Sequence, residues 1–476
     1  MAQRFEAGQE GIQVFPAGAT GGAPVDAVAG GSVLGAIAGT GVAYGRDPGP
    51  LGYAELGFFR PGDARRIVLG AQAGHSYAFV TDPSSATPFL AASRLLVADA
   101  TAAGGVSLRS FAGDGTDPRT LTTGPCAGVF GARMRPGGVA FRCDPETTYF
   151  SDGVAPAVFL GSNAAGSTPV EIAAVGSVEH VILLTGGSRL ITMPADGSDT
   201  FRFLSPEPSG TDALLAMAGS TALVATAVAA TDHAAYTVSA DGSSQKARRI
   251  GGAGPTVAGS PGVAPDGRHF LAIFRDDVGA QSRAFLVPVD PGDDQLVGLP
   301  TPSGAASALD ATQFADGTVL MKLEGVGYRA VSASGEPGPL LDSSTADVHR
   351  ADAGAYAVLQ SSTAPFPMKA VRQDGLETFF FTGAGATRPP LVSPGGRIFY
   401  IDGDGHALAA APDLSLEVPI DAAPCNALEL TGGDAARELV AVRHATGDHA
   451  TFVLHTGTGE VERVLGGADD VTWFLP

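Results

Sequence analysis

LITMPADGSDTFRFL, residues 190–204, sets two short apolar runs on either side of Asp196-Gly197. Each run is strand-length, and the joining pair is the one tight hairpins use. Glycine accepts a positive φ there, and aspartate bonds its own turn backbone. The pattern returns in LRSFAGDGTDPRTLT (108–122), AYTVSADGSSQKARRI (235–250) and AVRQDGLETFFF (370–381), turning at Asp114-Gly115, Asp241-Gly242 and Asp374-Gly375. Looser copies fall near Gly21, Gly62, Gly153, Gly292, Gly335, Asp413 and Thr458. From Gly62 to Thr458 the series takes nine steps over 396 residues, a mean period of 44.

A second series interleaves with the first. APDGRHFLAIF (264–274) turns at Asp266-Gly267 and FADGTVLMKL (314–323) at Asp316-Gly317, while RPGGVAFRC (135–143) and SPGGRIFYI (393–401) put Pro-Gly-Gly at the same place. Each period therefore holds two hairpins and four antiparallel strands. Windows with apolar residues at i, i+3, i+4 and i+7 are few, and Gly or Pro interrupts them. The fold class is all-β. A four-stranded unit of about 44 residues is a propeller blade, which must lean on its neighbours because one sheet cannot cover both of its own faces.

The pieces APDGRHFLAIF and SPGGRIFYI, followed by hairpins of the ADGSDTFRFL type, resemble the WD40-like (TolB-like) β-propeller repeats of bacterial proteins. The resemblance covers most of the chain at the level of the repeat. It implies a propeller fold and a role in protein–protein interaction.

The ends of the chain suggest how the array closes. The N-terminal segments RFEAG and GIQVFPAG enter without an inner strand, and DVTWFLP (470–476) leaves as a strand without a partner. Pairing the last strand with the first blade removes two open sheet edges. This predicts about eleven four-stranded antiparallel blades in one continuous β-propeller array over residues 1–476. The alternative is two interlocked propellers split near GGAGPTVAGSPG (251–262).

Composition narrows the function. Acids outnumber bases 49 to 29, for a net charge of −20. Nucleic acid is excluded as a partner, because a polyanion needs a basic face to release its counterions. An anionic membrane surface is excluded on the same ground. No apolar run approaches the roughly 20 residues of a membrane helix, so no membrane insertion is expected. The opening MAQRFEAGQEG lacks the apolar core of a secretory signal.

Catalytic motifs are scarce. No GxxxxGK[ST] loop, GxSxG elbow, HExxH helix or CxxC pair occurs. One polar constellation stands out. IDGDGH supplies Asp402, Asp404 and His406, and RHATGDH supplies His444, Asp448 and His449. Both are expected as second-to-third-strand loops on one face of adjacent blades, where carboxylates and imidazoles could hold a divalent metal. Solvated hairpin turns are the alternative. Cys126 begins a first strand and Cys143 ends a second, so a disulfide fits and would indicate an oxidising compartment. Cys425 has no second cysteine in its blade. Glu171, His180, Asp310 and His349 fall on or near first or second strands, where a propeller enzyme would draw its acids and bases.

The leading expectation is a non-enzymatic scaffold, extracytoplasmic (periplasmic, outer-membrane-associated or secreted), that binds a protein partner or a surface polymer and needs no cofactor. The alternatives are a hydrolase or lyase acting on polysaccharide or lactone, and a structural subunit of a larger assembly.

Overall fold

A computed structural model describes the chain between Ala2 and Val471. Outside the description lie residues 1, 4–10, 15–25, 38–40, 61–65, 83–89, 92–93, 123, 125, 162–163, 199, 208–209, 230–231, 249–261, 265, 276–280, 294–295, 300–306, 315, 333–335, 343–346, 351–355, 361–367, 373–377, 381–389, 394–395, 412–415, 434–436, 467–469 and 472–476. The described residues form strands and turns with no α-helix.

The repeating unit is a four-stranded antiparallel meander in which each strand pairs with the next along the chain, a propeller-type repeat. Thr168–Val175, Val178–Leu184, Leu190–Pro194 and Arg202–Phe203 make one such sheet. The Asp-Gly turns of the first series join third strands to fourth. Asp196-Gly197 lies between Leu190–Pro194 and Arg202–Phe203, and Asp241-Gly242 between Asp232–Ser239 and Gln245–Arg248. Asp266-Gly267 of the second series joins a first strand, Gly262–Val263, to a second, His269–Arg275.

Within each unit described below, hydrophobic clusters bind neighbouring sheets. Ala140 and Phe150 of one sheet pack with Ile172, Val181, Leu183, Ile191 and Met193 of the following one. Further along, Phe399, Ile401, Ala407 and Ala409 pack with Val440, Val442, Phe452 and Leu454. Second strands are covered on both faces, so Val181, Ile182 and Leu183 are all fully buried despite pointing to alternate sides. Phe58 and Phe59 are likewise fully buried core residues. The second aromatic run, Phe379-Phe380-Phe381, has its side chains outside the described residues.

Two compact units divide the chain. One comprises Met1–Pro206, Ser239–Ser243 and Ala468–Pro476, the other Glu207–Val238 and Ser244–Gly467. Of the stretch 251–262, all but Gly262 lies outside the described residues. Within the first unit, Asp470–Val471 pairs with Ala2–Gln3, which pairs in turn with Gly11–Val14. The last described strand thus belongs to the N-terminal sheet.

One sheet departs from the four-strand pattern. Nine strands between Gly31 and Thr120 form a single sheet. Gly41–Gly49 and Gly52–Phe59 are nine and eight residues long. Their tip reaches the following meander through the pair Tyr53–Tyr77. Gly52 makes the approach possible: its φ is +134°, and a Cβ there would sit 2.5 Å from the carbonyl oxygen of Tyr77.

Candidate functional site

The two loops expected to hold a metal flank one short segment. Cys425 N donates to Gly405 O at 2.8 Å, and Ala445 N to Pro424 O at 3.0 Å. Ligand atoms of Asp402, Asp404 and His406 lie within 4.8 Å of one another. The carboxylate of Asp402 closes its own turn: its Oδ1 accepts from Asp404 N at 2.9 Å and His406 N at 2.7 Å, and its Oδ2 faces His406 Nδ1 at 3.3 Å. His444 and Asp448 do not join this group among the described residues. His444 Nε2 is 2.8 Å from Asp421 Oδ2. Asp448 takes the hydroxyl of Thr446 at 3.3 Å. The side chain of His449 lies outside the described residues.

Cys126 and Cys143 form a disulfide, with Cα atoms 4.7 Å apart. Cys425 is free and buried. It is the register partner of His444, but that imidazole is held by Asp421, and the thiol donates to Gly405 O at 3.1 Å. Burial, with Asp421 and Asp402 nearby, pushes the thiol up to about 11, so it stays protonated near neutral pH.

Acids on or near the first strands are held by arginines, a threonine hydroxyl or the backbone. Asp82, 1% exposed, accepts from Arg133 at 2.9 Å and from Met134 N at 3.0 Å. Arg135 bridges from Asp82, 3.7 Å away, to Glu171 at 2.5 Å. Buried charges persist only when paired in this way. Asp212 accepts from Thr226 Oγ1 at 2.8 Å. Asp310 Oδ1 accepts from the backbone N–H of Ala311 at 2.8 Å. The side chain of His349 lies outside the described residues.

His180 differs. It sits on the second strand Val178–Leu184 and pairs with Ala173 and Pro194. It is 9% exposed, and its Nδ1 has no hydrogen-bond partner among the described residues. Burial lowers its pKa, although Asp241 and Asp196 oppose the shift. The ring is therefore neutral near pH 7.

A cleft of about 280 Å³ opens beside it, lined by His180, Thr192, Pro194, Thr200, Phe201, Arg202 and Asp241. Asp241 reaches this cleft because its turn docks on the preceding sheet, where Thr192 Oγ1 donates to Ala240 O. The turn holds the carboxylate firmly. Ser239 Oγ, Ser243 N and Ser243 Oγ all bond Oδ1, at 2.6, 2.9 and 2.7 Å. Burial works against ionisation, yet these donors prevail and hold the carboxyl down at about 2. Sequence reading singled out His180 from its strand position and treated Asp241 only as a turn residue. Their meeting depends on how one repeat packs on another, which the local pattern does not carry.

No family model matches the chain, and no curated protein matches it. Among solved structures, a eukaryotic initiation factor is similar at 11% identity over 75% of this chain and 93% of its own, with a TM-score of 0.41. BamB from Moraxella catarrhalis is similar at 14% identity over 68% of this chain and 95% of its own, with a TM-score of 0.32. A prolyl endopeptidase is similar at 11% identity over 71% of this chain and 55% of its own, with a TM-score of 0.33. Scores at this level carry no argument about function, and the fold rests on the strand pairing.

Proposed function

We propose that this chain is a non-enzymatic binding protein built on a TolB-like propeller of eleven blades, closed by the pairing of its last strand with its first sheet. It works outside the cytoplasm and binds a surface polymer or a protein partner. The count of eleven takes the nine-stranded sheet as two fused blades. It adds to them the nine four-stranded sheets. The Cys126–Cys143 bond supports an oxidising compartment.

One observation carries the binding reading. Apart from His180, most of the acids and histidines singled out above are committed to structural partners, among them Asp82 to Arg133, Glu171 to Arg135, Asp99 to His75, and His444 to Asp421. A general base needs a free lone pair within reach of a substrate proton, and these groups give theirs to arginine or to each other. Apolar side chains meanwhile stand open on the outer strands of two consecutive sheets: Val158 and Phe159 on one, Phe203 on the next, with Phe201 one residue before that strand. Exposed aromatics of this kind suit contact with another surface.

The test is co-sedimentation of the full chain with insoluble peptidoglycan, and with an insoluble neutral polysaccharide, while reducing ends are assayed in the supernatant. Retention on at least one of the two polymers without release of reducing ends is expected. Release of reducing ends would replace this reading with a hydrolase or lyase.

A further inference from the structure

We propose that the cleft beside His180 is a recognition site for a single neutral sugar ring, the unit of the surface polymer in the reading above, on which this inference rests. The argument begins with charge. Asp241 brings one negative charge and Arg202 one positive, so the lining as a whole is neutral. The guanidinium of Arg202 has no hydrogen bond or ion pair among the described residues, and it offers a planar fork of donors. Asp241 has three donors on Oδ1 and, among the described residues, none on Oδ2. That oxygen is a fixed acceptor on a group that stays ionised throughout the neutral range.

The remaining walls suit a ring with hydroxyls on its edge and C–H bonds on its face. Thr192 Oγ1 gives its proton to Ala240 O and keeps its lone pairs, and Thr200 shares a proton with Ser198 at 2.9 Å. His180 has no partner on Nδ1 among the described residues, and its ring lines the cleft. Phe201, 39% exposed, and Pro194 supply apolar surface. A hydroxyl both donates and accepts, so a polyol satisfies an acceptor carboxylate and a donor guanidinium together. An ammonium is served less well. The three donors on Oδ1 already compensate the charge of Asp241, which weakens its pull on a cation. At about 280 Å³ the cleft lies just under the roughly 300–1,000 Å³ of drug-sized pockets, which limits it to one small unit.

The experiment follows the imidazole of His180 by NMR in full-length protein carrying ¹³C-histidine, with the signal assigned by loss in His180→Asn. The probes are methyl β-D-glucopyranoside, methyl β-D-galactopyranoside and methyl N-acetyl-β-D-glucosaminide, with glycine as the zwitterionic control. At least one pyranoside should shift the His180 signal saturably in the millimolar range while glycine does not. Asp241→Asn preserves the turn geometry and should weaken that binding at least tenfold. Arg202→Ala, on the exposed outer strand, should do the same. The proposal is overturned if no pyranoside moves the signal, if glycine saturates it instead, or if the shift survives both substitutions. Chemical conversion of a bound pyranoside would support the site and sink the binding reading of the chain. Absence of any shift would remove the site and leave polymer or protein binding elsewhere on the chain untouched.

Discussion

Two kinds of glycine occupy positions that look alike in the sequence. Gly115, Gly197 and Gly242 follow aspartate in third-to-fourth-strand turns and have φ of +81°, +77° and +68°. A Cβ at these positions would meet Ile67 at 2.3 Å, Val158 at 2.6 Å and Arg202 at 2.9 Å. Gly459, in the corresponding turn of the last complete repeat, lies 3.1 Å from Leu416 by the same measure. Gly176, Gly219 and Gly267 also have positive φ, yet nothing lies within 4 Å of a Cβ there. Alanine at the open positions should cost about 1 kcal/mol from backbone strain. Gly197→Ala and Gly242→Ala should cost roughly 1–3 kcal/mol more, from overpacking against the preceding sheet. Urea denaturation of the two sets of variants checks this difference. Gly267 follows aspartate just as Gly197 and Gly242 do, because φ is a local requirement. The crowding that separates them comes from a residue 39 to 48 positions upstream, which leaves no mark beside the glycine.

Glu438 shows the same limit on reading side chains in isolation. It stands on the strand Arg437–His444 and is 3% exposed. Its Oε2 lies 3.6 Å from Arg397 Nε, too far for a hydrogen bond. Burial raises its pKa, with Ser393 and Arg397 offsetting only part of the effect. A carboxyl whose folded pKa exceeds its unfolded value opposes folding once the pH rises above the unfolded value. Glu438→Gln should therefore raise the melting temperature at pH 7–8. The gain should shrink as the pH falls toward 4, which thermal melts across that range would measure.

At the level of the element, the same turns are tied back by hydrogen bonds. Ser110 Oγ donates to Gly153 O and Thr192 Oγ1 to Ala240 O. Arg248 donates to Asp290 O at 3.1 Å, and Arg397 reaches Thr456 O. In each case a side chain of one sheet holds the third-to-fourth-strand turn of the next. Thr192→Val keeps the shape but leaves Ala240 O short of a donor, at a cost of about 1–3 kcal/mol. It should also release the Asp241 turn, which amide hydrogen exchange at Ser243 would report. The disulfide ties down another element. It closes a loop with a sequence separation of 17 residues. Replacing both cysteines by alanine should cost about 3 kcal/mol on the chain-entropy estimate. A fall in melting temperature in the double variant, matched by the native protein in reductant, checks it. The sequence placed these strands well, since two-residue turns and β-branched runs fix them locally. It could not rank the polar residues on them. Glu171 and His180 stand on paired strands, yet one is bonded to Arg135 and the other has no partner on Nδ1 among the described residues.

For the molecule as a whole, the periodic turns foretold a chain of four-stranded meanders, and the described sheets follow that order from end to end. The fused nine-stranded sheet was not legible. It depends on two strands that overrun their blade and on the contact of Tyr53 with Tyr77, and no spacing rule signals strand length. The tail strand was legible, because an unpaired strand at each end of a repeat series leaves edges to be covered. Its described pairing with Ala2–Gln3 spans only two residue pairs. Removing residues 468–476 should expose the N-terminal sheet to proteolysis before the rest of the chain is cut. Limited trypsin digestion followed by mass spectrometry tests this, with early cleavage after Arg4 as the expected product.

The tied-back turns also have a direction. In the four ties described, the donor belongs to one sheet and the turn to the next along the chain, with the same polarity each time. A recombination event that deletes or duplicates one whole period, with the phase kept and the crossover outside a donor and its turn, leaves such a donor beside such a turn. An array assembled this way can change its length by unequal exchange without first inventing a new interface. An out-of-phase exchange would leave buried carbonyls unmet at the seam.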